Sequence, residues 1–213
     1  ITLGDRTLAY ERELNAVFIT FPAVLRAGRT YAIDFYYSGR PEPGARFGGI
    51  SFRKDPAGRD WITTACEDVG ASYWWPNKDQ WRDEVEQMDI SVSIPNGLVD
   101  VSNGRFVGKT DLGDGFTRWD WRVHYPINAY DVALNIGAYA HFADRRGDLT
   151  LDFYALPEDL DGAKRQFAQA RPMLDTFERY VGEYPFPRDG YKLIQVPYAG
   201  MEHQSAVAYG NRF

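Results

Sequence analysis

Short runs of β-branched and aromatic residues, broken at intervals by Pro, Gly, Asn and Asp, are the feature that most constrains this chain. Residues 16–21 (AVFITF) and 31–37 (YAIDFYY) open the series; the second alternates apolar and polar and closes on the turn formers of 38–44 (SGRPEPG). Such runs read as half-buried strands, and these two read as a pair. The pattern returns at residues 49–53, 61–65, 88–94, 98–103, 116–124, 132–142 and 149–156. Short strands at that spacing predict a mainly β chain, built as a sandwich or saddle of antiparallel sheets. An aromatic share of 15% tilts the same way, because flat rings suit a pleated, half-buried surface. Near the start, residues 3–7 around Gly4 and Asp5 read as a hairpin.

After Pro157 the period changes from 2 to about 3.6. Phe167, Ala170, Leu174, Phe177 and Val181 then fall on one face of a helix over roughly residues 161–182. Asp159 or Asp161 suits its start and Gly182 its end, while Pro172 within the pattern predicts a kink or a missing hydrogen bond. Residues 191–198 (YKLIQVPY) read as a strand, followed by a small-residue bend over 199–205 and a short apolar run at 206–209. This change of period predicts a domain boundary, with a β-rich domain over 1–157 and a second domain over 158–213. Both ends look cut: the chain opens without Met, and one helix with one strand makes no stable sheet domain.

With 213 residues, 44% of them hydrophobic, the chain can bury a substantial core. A net charge of -6 and the absence of a basic run give no electrostatic footprint for a phosphate backbone, so nucleic acid is not an expected partner. No stretch reaches the roughly 20 apolar residues of a membrane helix, and no targeting signal is visible; the compartment stays open. The single cysteine, Cys66, excludes an intrachain disulfide and reads as a buried, inert thiol.

Imidazoles are found at His124, His141 and His203 alone, and no two stand four apart around a Glu as zinc ligands on one helical face do. His124 and His141 lie in strand-like runs, where one hydrogen bond at the surface is the ordinary role. Ser205 has no Gly-x-Ser-x-Gly setting. Residues 197–211 (PYAGMEHQSAVAYGN) differ from an ordinary surface loop, since Glu202 stands between Met201 and His203 after two minimal side chains.

The order Ala199-Gly200-Met201-Glu202 resembles the Gly-x-Met-Glu-Asn exopeptidase motif of the zinc aminopeptidases, the gluzincin family that includes alanyl aminopeptidases and leukotriene hydrolase. Two further stretches resemble the family in the same order. Residues 64–70 (TACEDVG) and 73–79 (YWWPNKD) look like its substrate-facing β-domain segment, in which a Cys-Gln or Cys-Glu pair precedes an aromatic-Pro-x-x-Asp stretch. Tyr184-Pro185-Phe186 and Asp189-Gly190-Tyr191-Lys192-Leu193 look like its approach to the exopeptidase motif. The resemblance spans the chain from about Ile1 to Phe213. It implies a β-rich N-terminal domain packed on the first helix and strands of a thermolysin-like α/β catalytic domain, with a peptide's free amine held by one residue from each.

By position those residues are Glu67 and Glu202, 135 places apart (202 minus 67) on either side of Pro157. A peptide α-amine has a pKa near 8 and is largely ammonium at neutral pH, so two carboxylates would select it over an internal peptide bond. Ala199 and Gly200 would let a peptide lie against the backbone as an added strand. Taken singly, Glu67 also reads as a solvated strand charge, Ala199-Gly200 as a tight bend, and Tyr73, Trp74 and Trp75 as core or as a side-chain pocket. Ala199 and His203 depart from the family's usual Gly and Asn, which leaves fine specificity in doubt.

The family's His-Glu-x-x-His helix, its distant Glu ligand and its oxyanion Tyr all follow the exopeptidase motif, and this chain contains none of them. The resemblance therefore implies zinc in a parent enzyme and none in this piece, which on its own should bind peptide amines without hydrolysing peptides. Its partners would be peptides with a free N-terminus and the remainder of the catalytic domain. Two other readings stay open: a β-sandwich module binding carbohydrate or protein, with Trp74, Trp75 and Trp81 as a stacking platform, and a noncatalytic relative of the aminopeptidases.

Overall fold

A computed structural model describes residues 1–41, 48–67, 71–78, 80, 82–210 and 213. The chain is mainly β, with antiparallel sheets and its helices near the C-terminus. It divides into two compact units, Ile1–Arg40 and Pro41–Phe213.

In the first unit, β1 (Thr2–Leu3) and β2 (Arg6–Thr7) form the expected hairpin. The run at 16–21 becomes β4 (Ala16–Thr20), but its partner is β3 (Ala9–Glu13), not residues 31–37. Leu14 and Asn15 between them have φ of 47° and 69°. Two successive left-handed residues make the tight turn that matches strand twist, so the nearest segment closes on β4 first. Residues 31–37 then keep a single bridge, Thr2 to Asp34, instead of a ladder. The alternating pattern of these residues therefore does not become a strand, and nearly all of them are exposed.

In the second unit, β5 (Gly49–Lys54), β6 (Asp60–Ala65), β8 (Val99–Ser102) and β11 (Leu134–Gly137) form one sheet in the order β5-β6-β11-β8. A three-stranded sheet joins β7 (Met88–Pro95), β10 (Phe116–Val123) and β9 (Arg105–Asp111). The last of these, RFVGKTD, is too polar to register as a strand in sequence, and its side chains are indeed mostly exposed. The expected strand over 132–142 is split between β11 and β12 (Ala140–Arg146). Trp61, Val101, Trp121, Ile127, Leu134, Leu156 and Ile194 share the main core, which therefore draws on all three sheets of the unit.

The third sheet runs β12-β13-β14-β16-β15, with β13 (Leu149–Ala155), β14 (Tyr191–Val196), β15 (Gly200–Met201) and β16 (Val207–Gly210). β13 pairs with β14 in parallel, which requires a crossover, and helices α1 (Leu160–Phe167) and α2 (Ala170–Val181) supply it. This sheet takes strands from both sides of Pro157, the expected boundary, whereas the compact units part at Arg40.

The single expected helix is two. It breaks at 168–169, which leaves Pro172 in the first turn of α2, where its missing N–H removes no hydrogen bond. Gly182 ends α2 at φ 104°, its N–H bonded to Glu178, as a C-terminal cap does. Phe167, Ala170 and Leu174 pack on Leu151, Phe153 and Leu193, but Phe177 and Val181 on the same stripe are exposed. Among the described residues, no helix is long and apolar enough to cross a membrane.

Candidate functional site

β14 runs into the segment that carries Ala199, Gly200, Met201 and Glu202. Gly200 takes φ +117°, and a Cβ there would stand 2.8 Å from the Ala208 carbonyl, so the antiparallel pairing of β15 with β16 needs glycine at this point. Ala199 is exposed, and β15 is the last strand of its sheet, leaving its outer backbone edge open. Met201 is buried with Val196 and Ala208, beside Tyr130 and Tyr198. Alternation along the strand then turns Glu202 outward, where it is exposed.

Glu67 follows β6 and the buried Cys66, whose thiol is pushed up by burial and so stays protonated at neutral pH. Glu67 itself is exposed. Residues 68–70 of the substrate-facing stretch, Asp79, Trp81 and Asn211 lie outside the described residues. Trp74 and Trp75 are half-buried and pack against the main core, with ring centroids 6.1 Å apart, whereas Tyr73 is exposed.

A set of bonds sews this C-terminal segment to the strands before Pro157. The Tyr198 hydroxyl donates to the Thr64 carbonyl at 2.9 Å, three residues before Glu67, and Arg53 donates to the Pro197 carbonyl at 3.2 Å. Trp61 Nε1 donates to Tyr139 Oη at 2.8 Å, which donates to the Gln195 carbonyl at 2.9 Å.

The turn between β8 and β9 contributes most. Asn103 Nδ2 donates to the carbonyls of Asp131 at 2.9 Å and Gln204 at 2.6 Å, while its Oδ1 accepts the Ala133 N–H at 2.6 Å. Gly104 donates to Ser205 Oγ at 2.9 Å, and its carbonyl accepts from the buried ammonium of Lys192. Burial brings that ammonium down to about 7.

Beside Glu202 stands a residue that sequence reasoning missed. The Tyr130 hydroxyl donates to Glu202 Oε1 at 3.4 Å. Its pKa is raised to about 12, first by burial, then by the negative charges of Asp131 and Glu202, the bond to Glu202, and the charge of Glu67. Glu67 and Glu202 thus act on the same phenol. Asp131, whose Oδ1 accepts the Gln204 N–H at 3.1 Å, is raised to about 7 by burial and by the charges of Glu202 and Glu84. The result is an acidic face on which a cation would relieve carboxylate repulsion. The only sequence signal for Tyr130 and Asn103 was negative: a turn Asn before Gly104, and a Tyr in an Asn/Asp-rich connection.

Among the described residues no three His, Cys, Asp or Glu side chains are grouped to hold a metal ion. His124 Nδ1 pairs with Asp189 at 2.8 Å, His141 Nε2 with Asp152 at 2.9 Å, and His203 is fully buried. The resemblance implies zinc in a parent enzyme and none in this piece, and no hydrolytic step is derived from the described residues. Comparison with protein-family models and with curated proteins finds no match to the chain.

Proposed function

We propose that this chain supplies the amine-recognition part of a zinc aminopeptidase, with the zinc ligands and hydrolytic groups contributed by residues outside it. The observation that carries the reading is that the Tyr198–Thr64 hydrogen bond ties the end of β6, which leads into the exposed Glu67, to the segment that carries the exposed Glu202, although the two glutamates are 135 positions apart in sequence (202 minus 67). Two exposed carboxylates beside an open strand edge suit an extended peptide whose ammonium is the terminal contact. The edge would take main-chain hydrogen bonds, and the carboxylates would exclude chains that continue past the amine.

The test is binding of L-alaninamide against N-acetyl-L-alaninamide, which lacks the charge. Each of Glu67→Gln and Glu202→Gln should weaken alaninamide binding by roughly 10- to 150-fold, the effect of losing a hydrogen bond to a charged group in a binding site. Equal affinity for the two probes in the unaltered chain would remove the reading.

A further inference from the structure

Glu202 is an exposed carboxylate on a flexible stem, and such a group grips an ammonium well only if something holds it still. The candidates for that task are the side chains that reach it, and Tyr130 is one of them, through its hydroxyl. We infer that Tyr130 is a positioning residue for Glu202, its phenol proton fixing the carboxylate in the orientation that meets a primary ammonium. The inference rests on the proposed amine-binding role of Glu202.

The geometry behind Tyr130 is unusually well determined. The residue sits in the 3-10 turn Ala129–Asp131, which begins at the Asn128 side chain. Its neighbour Asp131 is tied to Gln204 by the Gln204 N–H to the Asp131 carboxyl and by Asn103 Nδ2, shared between the two backbone carbonyls. Tyr130 and Glu202 therefore lie one and two residues from the two ends of a doubly bonded bridge. The Tyr130 ring is further set against the cluster of Met201, Val196 and Ala208, so ring and carboxylate are carried by elements that cannot shift independently.

The chemistry agrees with the geometry. A phenol that both burial and neighbouring charge hold protonated stays a donor across the neutral range. It therefore offers Glu202 a proton whether or not the site is filled. A tyrosinate would repel both carboxylates; a phenylalanine would leave Glu202 to wander among rotamers.

The experiment is a titration of the 213-residue chain with L-alaninamide and with N-acetyl-L-alaninamide, followed by carbon-13 NMR of the tyrosine Cζ resonances. Tyr130→Phe keeps the ring and its packing, and it also assigns the Tyr130 signal. The dissociation constant for alaninamide should rise about 3- to 10-fold in Tyr130→Phe, as expected when a side chain must be ordered on binding. The Tyr130 Cζ signal of the unaltered chain should move with alaninamide, and that movement should vanish in Glu202→Gln. A purely structural tyrosine would leave the Cζ signal still.

Unchanged alaninamide affinity in Tyr130→Phe, or a Cζ signal that ignores saturating alaninamide, overturns the inference while the Glu202 reading stands. If the unaltered chain does not prefer alaninamide to its acetylated form, the amine reading itself fails and takes the inference with it. Through-bond NMR assignment of the Tyr130 ring in the unaltered chain keeps the Cζ titration decisive even if Tyr130→Phe is unstable.

Discussion

Replacing Asn103 by Ala should be among the most damaging single changes in the chain, although Asn103 touches neither glutamate. Its carboxamide is fully buried and makes three bonds to backbone: donors to the Asp131 and Gln204 carbonyls, and an acceptor for the Ala133 N–H. Alanine leaves all three groups without that partner. Two of the bonds are fully buried and one partly so. A buried polar group stripped of its partner costs about 1–3 kcal/mol; at about 1–1.7 kcal/mol each, the low part of that range, the three come to about 3–5 kcal/mol. Native domains have about 5–15 kcal/mol in all, so this is a large fraction of the total. With a urea m-value of about 2 kcal/mol/M, the unfolding midpoint read by tryptophan fluorescence should fall by about 1.5–2.5 M. Alaninamide affinity should fall as well, because the bridge that aligns Tyr130 with Glu202 is cut. A midpoint shift below about 0.5 M would mean that water or local rearrangement satisfies those groups, and the keystone role would be wrong.

Two further outcomes follow from neighbouring residues. Gly104→Ala forces a Cβ to within 2.1 Å of the Arg122 carbonyl oxygen at φ +78°, whereas Gly113→Ala at φ +75° meets nothing within 4 Å. Both incur the left-handed strain of about 1 kcal/mol, but only Gly104→Ala must move backbone, so its melting temperature should drop by at least about 6 °C more; equal drops would refute the steric argument. His203 is buried with no hydrogen-bond partner for either ring nitrogen among the described residues, and burial lowers its pKa to about 4. The unfolded chain then binds more protons between about pH 6.5 and 4, so this residue makes the fold lose stability as pH falls through that window. His203→Leu should remove about 2 kcal/mol of the loss seen between pH 7.5 and pH 5 in urea titrations; an unchanged pH dependence would contradict a buried neutral imidazole.

What the sequence made legible follows the range of the forces involved. Strands with a buried face announced themselves by alternation, as at Met88–Pro95 and at the start of Leu149–Ala155, because burial acts on every second residue. Arg105–Asp111 did not, since its pairing rests on backbone bonds to β10 and its side chains are mostly exposed. Residues 31–37 carried the period but gained only one bridge, because pairing depends on a distant partner that pattern alone does not specify. Pro172 was expected to kink one long helix or remove a hydrogen bond; instead the helix breaks at 168–169 and restarts so that Pro172 falls in a first turn.

The two glutamates were singled out by a resemblance in their local sequence, whereas Asn103, Tyr130 and Asp131 were not singled out at all. Their roles are created by contacts with residues 28 to 101 positions away, and nothing in their own neighbourhood encodes them.

The most direct test of the central claim is an amide proton–nitrogen NMR map of the chain under titration with L-alaninamide. The expected result is a saturable shift confined to residues around Glu67, Tyr130 and Ala199–Glu202, weakened by either Glu67→Gln or Glu202→Gln and absent with N-acetyl-L-alaninamide. Shifts that gather elsewhere, or that appear equally with the acetylated probe, would contradict a grip built from these two glutamates.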